Sequence, residues 1–129
     1  MNKAFIFYHA LCIDGYAAAA TMWRAFPDAT YRAVHYGEPL PLDGVTKGDT
    51  LYFVDFAPPP EEITTLSELQ PARIVILDHH ASMIDAYAKA DCPEFQAVLK
   101  GAHVELTLVK ARSGAGLTWE HLYPDAPLP

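Results

Sequence analysis

"RIVILDHHAS", residues 73–82, is the stretch on which the reading of this chain turns. Its first half carries Ile74, Val75, Ile76 and Leu77 without a polar interruption. Such a run suits a strand covered on both faces, as in a parallel sheet. Its second half sets Asp78, His79 and His80 in a row where that strand leaves the core. A solvated turn would account for the polar triplet, and so would a metal site. The rest of the chain has to separate the two.

The neighbouring segments supply the strands that this one needs. "AFIFYH" (4–9) is short and bulky, and "TLYFVDF" (50–56) ends at the "APPP" breaker. "HVELTLV" (103–109) is a further strand, and "TYRAVHY" (30–36) alternates, as a half-exposed edge strand does. Between them lie helical segments. "DGYAAAATMWRAF" (14–26) is alanine-rich, with Tyr16, Ala19, Ala20 and Trp23 spaced along one face. Pro58–Pro60 followed by "EEITTLSEL" has prolines at the start, acids in the first turn and Ile63, Leu66 and Leu69 on one side. Residues 82–90 form a short helix, and "SGAGLTWEHLY" (113–123) a helix starting at a serine cap. Cys92 to Gly101 carries no clear pattern. The alternation predicts an α/β domain with a mostly parallel, five-stranded sheet and helices on both faces.

The bulk properties bound the function. The chain has 129 residues, which suits one domain with one core, and its composition is that of a globular protein, 51% hydrophobic and 19% charged. A net charge of −7 argues against binding duplex DNA through a basic face. Bound cations can still reverse the sign locally and admit a phosphate. Two cysteines, Cys12 and Cys92, make no disulfide framework. No apolar run approaches the ~20 residues of a membrane span, and "MNKAFIFYH" enters the first strand without a charged-then-apolar leader. The expectation is a cytoplasmic protein with no membrane partner.

In an open parallel sheet, ligands bind beyond the carboxyl ends of the strands. Three of those ends read "HALCIDG", "VDF" and "LDHH". Any one of them alone is more simply a cap, a turn or a surface histidine. Together they converge on one edge, which independent bland explanations would have to reach by coincidence. Carboxylates and imidazoles without a thiolate cluster favour manganese, magnesium or iron over a structural zinc. A carboxylate shared by two such ions, flanked by histidine and further acids, can build a two-metal site for phosphoester chemistry.

"HALCIDGYAAA", "VDF" and "LDHHAS", in that order and at that spacing, resemble the first three motifs of the DHH phosphoesterase family. "RSGAGLTWEHLYP" (112–124) is similar to a later segment of one subgroup, whose first motif likewise reads His-x-x-Cys-x-Asp-Gly. The resemblance implies a Rossmann-like domain and manganese-dependent hydrolysis of phosphoesters. Family substrates include short oligonucleotides, single-stranded DNA, nucleotide second messengers, phosphoadenosine phosphate and inorganic pyrophosphate. Carried over, His9 binds one metal and Asp14 the other, Asp55 bridges them, and His79 is a ligand. His80 faces the phosphate or the metal-bound water, and Asp78 orients the imidazoles. Two Mn²⁺ ions are implied, with Mg²⁺ or another divalent ion open. The implied partner is a phosphate-containing small molecule or a short single-stranded nucleic acid.

The chain departs from the family in three places. Cys12 stands where many members carry a second acid, which leaves one ion as the alternative to two. A small residue in a tight turn is the plainer explanation of that position. The fourth acidic motif has no clear counterpart, since Asp85, Asp91 and Asp125 read as surface acids. The C-terminal domain with which complete members grip the substrate is expected to be absent from residues 1–129. A rival reading is therefore a nucleotide- or metal-binding module without turnover, and a third is a truncated form of a longer enzyme.

Arg112, Ser113 and Gly114 could hold a phosphate at a helix start, although the glycines of "SGAG" equally suit close helix–sheet packing. Trp23 and Trp119 are expected in the core. His35, His103 and His121 read as structural, and Cys92 as inert. A homodimer paired through the strand at 30–36 is an open alternative.

Overall fold

The computed structural model describes residues 2–126. Five parallel strands form one sheet in the order β2-β1-β3-β4-β5. The strands are β1 (Ala4–His9), β2 (Thr30–Val34), β3 (Thr50–Val54), β4 (Arg73–Asp78) and β5 (Val104–Leu108). The helices are α1 (Ile13–Ala25), α2 (Glu62–Glu68), α3 (Ala81–Ala90), α4 (Pro93–Gly101) and α5 (Gly114–Leu122). Every strand pairing is parallel, so the sheet is wholly parallel.

The pleat divides the apolar runs between two cores. Phe5, Phe7, Leu51, Phe53, Ile74 and Ile76 point to one face, where Ile63 and Leu66 of α2, Tyr87 of α3 and Leu99 of α4 cover them. Ile6, Tyr52, Val54, Val75 and Leu77 point to the other, beneath Ala18 and Met22 of α1 and Leu117 of α5. This is why the central strands are continuously apolar. Phe7 and Phe53 are fully buried and stacked at 4.8 Å, and burying each such ring stabilises the fold by roughly 1.5–3 kcal/mol. The sheet is thus a doubly wound, Rossmann-like α/β layer with helices on both faces.

Two details differ from what the patterns suggest. The buried side of α1 is Gly15, Ala18 and Met22, whereas Tyr16 is 49% and Trp23 60% exposed. Trp23 is therefore not a core residue, and Trp119 is only half-buried. The rotation of α1 is set by Gly15, where an added Cβ would lie 2.0 Å from the His9 carbonyl oxygen, so only glycine lets helix and strand approach this closely. The unpatterned segment forms α4, with Pro93 at its first turn and the Cys92 sulfur accepting a hydrogen bond from the Phe95 amide at 3.4 Å. As the order of the segments predicts, no helix joins β2 to β3. Residues 35–49 cross as a loop that packs Tyr36, Leu40, Leu42 and Val45 against the core.

The chain leaves β1 for β2 on one side and returns to β3 on the other. The crevice at the carboxyl ends of β1 and β3 is therefore the switch point of the sheet, the place where such folds bind ligands.

Candidate metal centre

Each strand end at the switch point delivers one part of a cluster. β1 closes on His9, β3 runs directly into Asp55, and β4 ends at Asp78 with His79 and His80 following. Asp55 adopts φ +56, a left-handed conformation uncommon outside glycine, which turns the chain out of the sheet as its amide still bonds the Leu77 carbonyl at 2.9 Å. Aspartate tolerates this region better than most residues. Asp55 and Asp78 are fully buried.

The distances define a centre. His79 Nε2 lies 2.8 Å from Asp55 Oδ1 and 3.1 Å from Asp14 Oδ2, one nitrogen facing two carboxylates from different elements. On the other side of Asp55, Oδ2 is 3.5 Å from His9 Nδ1 and 3.6 Å from the Cys12 sulfur. The His9 contact is close but is not a hydrogen bond, and His9 Nδ1 is a buried nitrogen with no hydrogen-bond partner among the described residues. Asp78 Oδ1 sits 2.6 Å from His80 Nδ1, and the Tyr36 hydroxyl donates to Asp78 Oδ2 at 3.2 Å. The Asp78 carboxylate is an acceptor, so Nδ1 of His80 carries the hydrogen and Nε2 is left for chemistry.

Asp14 reaches the centre through α5. Its two carboxylate oxygens accept from the Gly114 amide at 2.7 Å and the Ala115 amide at 2.8 Å, at the positive end of that helix. Burial pushes the Asp14 carboxyl upward, but the Ala115 and Gly114 amides, together with Asp55 and His79, outweigh it and hold the group below the ordinary carboxylate range. Asp55 goes the other way: burial first, then the charge of Asp14 beside it, raise it despite His79 and His80. Two close carboxylates of this kind are eased either by a shared proton or by a cation between them.

The donors suit a hard or borderline cation. Nε2 of His79, Oδ1 of Asp55 and Oδ2 of Asp14 form a group with edges of 2.8 and 3.1 Å. These are hydrogen-bond spacings, one imidazole nitrogen shared between two carboxylates, and they leave one nitrogen and two oxygens facing each other. Among the described residues, two groups of donor side chains lie close enough to hold an ion, Asp55–Asp78–His79–His80 and His9–Cys12–Asp55, and Asp55 belongs to both.

The structure thus brings His9, Asp14, Asp55, Asp78, His79 and His80 to one place. The segment at 112–114 is nearby but engaged. Ser113 Oγ caps α5 by accepting from the Gly116 amide at 2.9 Å, the Gly114 amide serves Asp14, and the Arg112 guanidinium pairs with Glu120. Gly114 is pressed against Asp55, where an added Cβ would sit 2.4 Å from Oδ1. Asp85, Asp91 and Asp125 are exposed. Nothing in the sequence around Tyr36 marks it, yet it stacks on Phe56 at 4.4 Å, meets His9 and His80 edge-on, and reaches Asp78. Comparison with protein-family models, curated proteins and solved structures returns no match.

Proposed function

We propose that this chain is a metal-dependent phosphoesterase of the DHH type, cleaving a phosphoester of a nucleotide or short single strand by attack of water. The observation that carries the reading is the placement of Asp55, a fully buried carboxylate at the switch point with its two oxygens turned to two different sets of ligands. In this reading Asp14, Asp55 and His79 hold one manganese ion, and His9 with the far oxygen of Asp55 holds a second cation. A bound divalent ion activates a water at neutral pH and offsets charge on the phosphoryl oxygens.

The protein's own groups have separable tasks. Asp55 keeps the two halves of the centre in register, because its side chain is immobilised on a turned-out backbone between two strands. The α5 amides keep Asp14 ionised and aimed. Asp78, steadied by Tyr36, fixes the His80 ring so that Nε2 can donate to or accept from a phosphoryl oxygen or its attacking water. A single displacement by water, with no enzyme-bound intermediate, is the mechanism proposed.

The test is Mn²⁺-dependent hydrolysis of an aryl phosphodiester and of a short single-stranded oligonucleotide. The Asp55→Asn and His79→Ala variants are expected to lose at least ~100-fold in rate with an unchanged circular-dichroism spectrum, since even groups behind the ligands commonly carry about 10–100-fold. Undiminished hydrolysis in both variants would end this proposal. Cation binding by the parent chain with no hydrolysis of either substrate would favour the binding-module reading.

A further inference from the structure

Cys12 occupies the position before α1 where serine, threonine, aspartate or asparagine usually caps a helix, yet its side chain makes no capping bond. Its sulfur turns inward, 3.6 Å from Asp55 Oδ2, and the same oxygen is 3.5 Å from the buried, unpartnered Nδ1 of His9. A ring nitrogen shut away from solvent with no hydrogen bond is uncommon in a folded protein and calls for a partner. Three donors of three kinds, imidazole nitrogen, sulfur and carboxylate oxygen, therefore lie within ligating distance of one another.

We propose that His9, Cys12 and Asp55 form a cation position that selects a thiophilic divalent ion, zinc, cobalt or iron, over manganese and magnesium. The inference rests on the metal-centre reading above and gives its two halves different preferences. Asp14, Asp55 and His79 offer oxygen and nitrogen only, which suits manganese. The His9 side adds sulfur, and thiolate ligation favours the later divalent ions in the order manganese, iron, cobalt. Three protein ligands with a further position open to water is the arrangement of a catalytic zinc site. On ligation the Cys12 thiol gives its proton to solvent, so no other reactant is needed. Cys12 is then a selectivity residue: it decides which ion stands beside Asp55.

The test needs no substrate. The full chain, in parent and Cys92→Ser forms, is titrated with Co²⁺ alone and with Mn²⁺ alone, and bound ions are counted after removal of excess. Co²⁺ is expected to bring up a near-ultraviolet thiolate-to-cobalt absorption band in both forms. The band is expected to vanish in Cys12→Asp and Cys12→Ser, and Cys12→Asp is expected to take Mn²⁺ at that position instead. Losing groups behind a ligand already costs about 10–100-fold in affinity, so Cys12→Ser should weaken Co²⁺ binding by ~100-fold or more. Thermal melts of each variant without metal keep misfolding apart from ligand loss. Bound Co²⁺ or Mn²⁺ with no thiolate band in the parent overturns the assignment of Cys12 and leaves the metal centre standing. A band that follows Cys92 overturns it equally. Failure to bind either ion overturns both this assignment and the metal-centre reading.

Discussion

The Asp78–His80 pair is the smallest unit whose removal should be legible in a measurement. Asp78 is fully buried and has two partners, His80 Nδ1 at 2.6 Å and the Tyr36 hydroxyl at 3.2 Å. Tyr36 in turn accepts from the Ala57 amide at 3.3 Å, so a backbone group just past β3 is tied to the ring that follows β4. Replacing Asp78 by asparagine keeps the volume but offers a donor or a weaker acceptor to Nδ1, which permits the wrong tautomer. The expected outcome for Asp78→Asn is a fall of about 10–100-fold in Mn²⁺-dependent rate. Tyr36→Phe removes both hydroxyl hydrogen bonds, and loss of the one to Asp78, worth about 1 kcal/mol, should lower the rate by about fivefold. Steady-state kinetics on both variants checks this. Equal losses in the two would mean that the Tyr36 hydroxyl, not the carboxylate, governs the ring.

At the scale of elements, the packing of α5 against β3 and α1 holds the centre together, and glycine makes it possible. Gly114 has no room for a side chain: an added Cβ would fall 2.4–2.7 Å from Asp55 atoms. Gly114→Ala must therefore push α5 outward or displace Asp55, at a cost of about 1–3 kcal/mol. Because the Gly114 and Ala115 amides also hold Asp14, the same shift should loosen both carboxylates. Chemical denaturation paired with Mn²⁺ titration is expected to show lost stability and weakened binding together. Normal binding in a destabilised Gly114→Ala would show that α5 supports the fold alone.

The same elements mark what the sequence discloses and what it hides. Strand ends are legible because an unbroken run such as Ile74–Leu77 must lie in a covered sheet, and the sheet then gathers His9, Asp55 and His79 at one edge. The rotation of α1 is hidden, because an alanine-rich helix offers two similar faces and the deciding contact is Gly15 on the His9 carbonyl. α4 is hidden because its cap is a cysteine sulfur. Tyr36 and the amides of α5 meet Asp78 and Asp14 only through folding, with no local pattern to announce them.

Over the whole molecule, the two ends of the sheet carry charge for opposite reasons. At the carboxyl ends, acids are gathered against their mutual repulsion, in a manner that suits a ligand. At the opposite end a single buried acid, Asp49, is satisfied by the protein itself. Its carboxylate accepts from the Lys3 amide at 2.8 Å, the Thr46 amide at 2.8 Å and the Thr46 hydroxyl at 3.1 Å, and its carbonyl accepts from Ala72 at 2.9 Å. This clamp joins the starts of β1, β3 and β4. Burial pushes the Asp49 carboxyl up, but the Thr46 and Lys3 amides, the Thr46 hydroxyl and the Lys3 charge prevail and leave it below the ordinary carboxylate value. A lowered folded-state value means stability that is present in full above the unfolded pKa of about 3.9 and is lost as pH falls through the folded value. Asp49→Asn keeps the shape but not the charge, and should cost roughly 1.5–3 kcal/mol at neutral pH. Urea midpoints for parent and variant are expected to differ most above about pH 5 and to converge as the acid is titrated. A gap that stays constant down to pH 2 would show that the clamp acts through shape, and that the charge of Asp49 adds nothing to the fold.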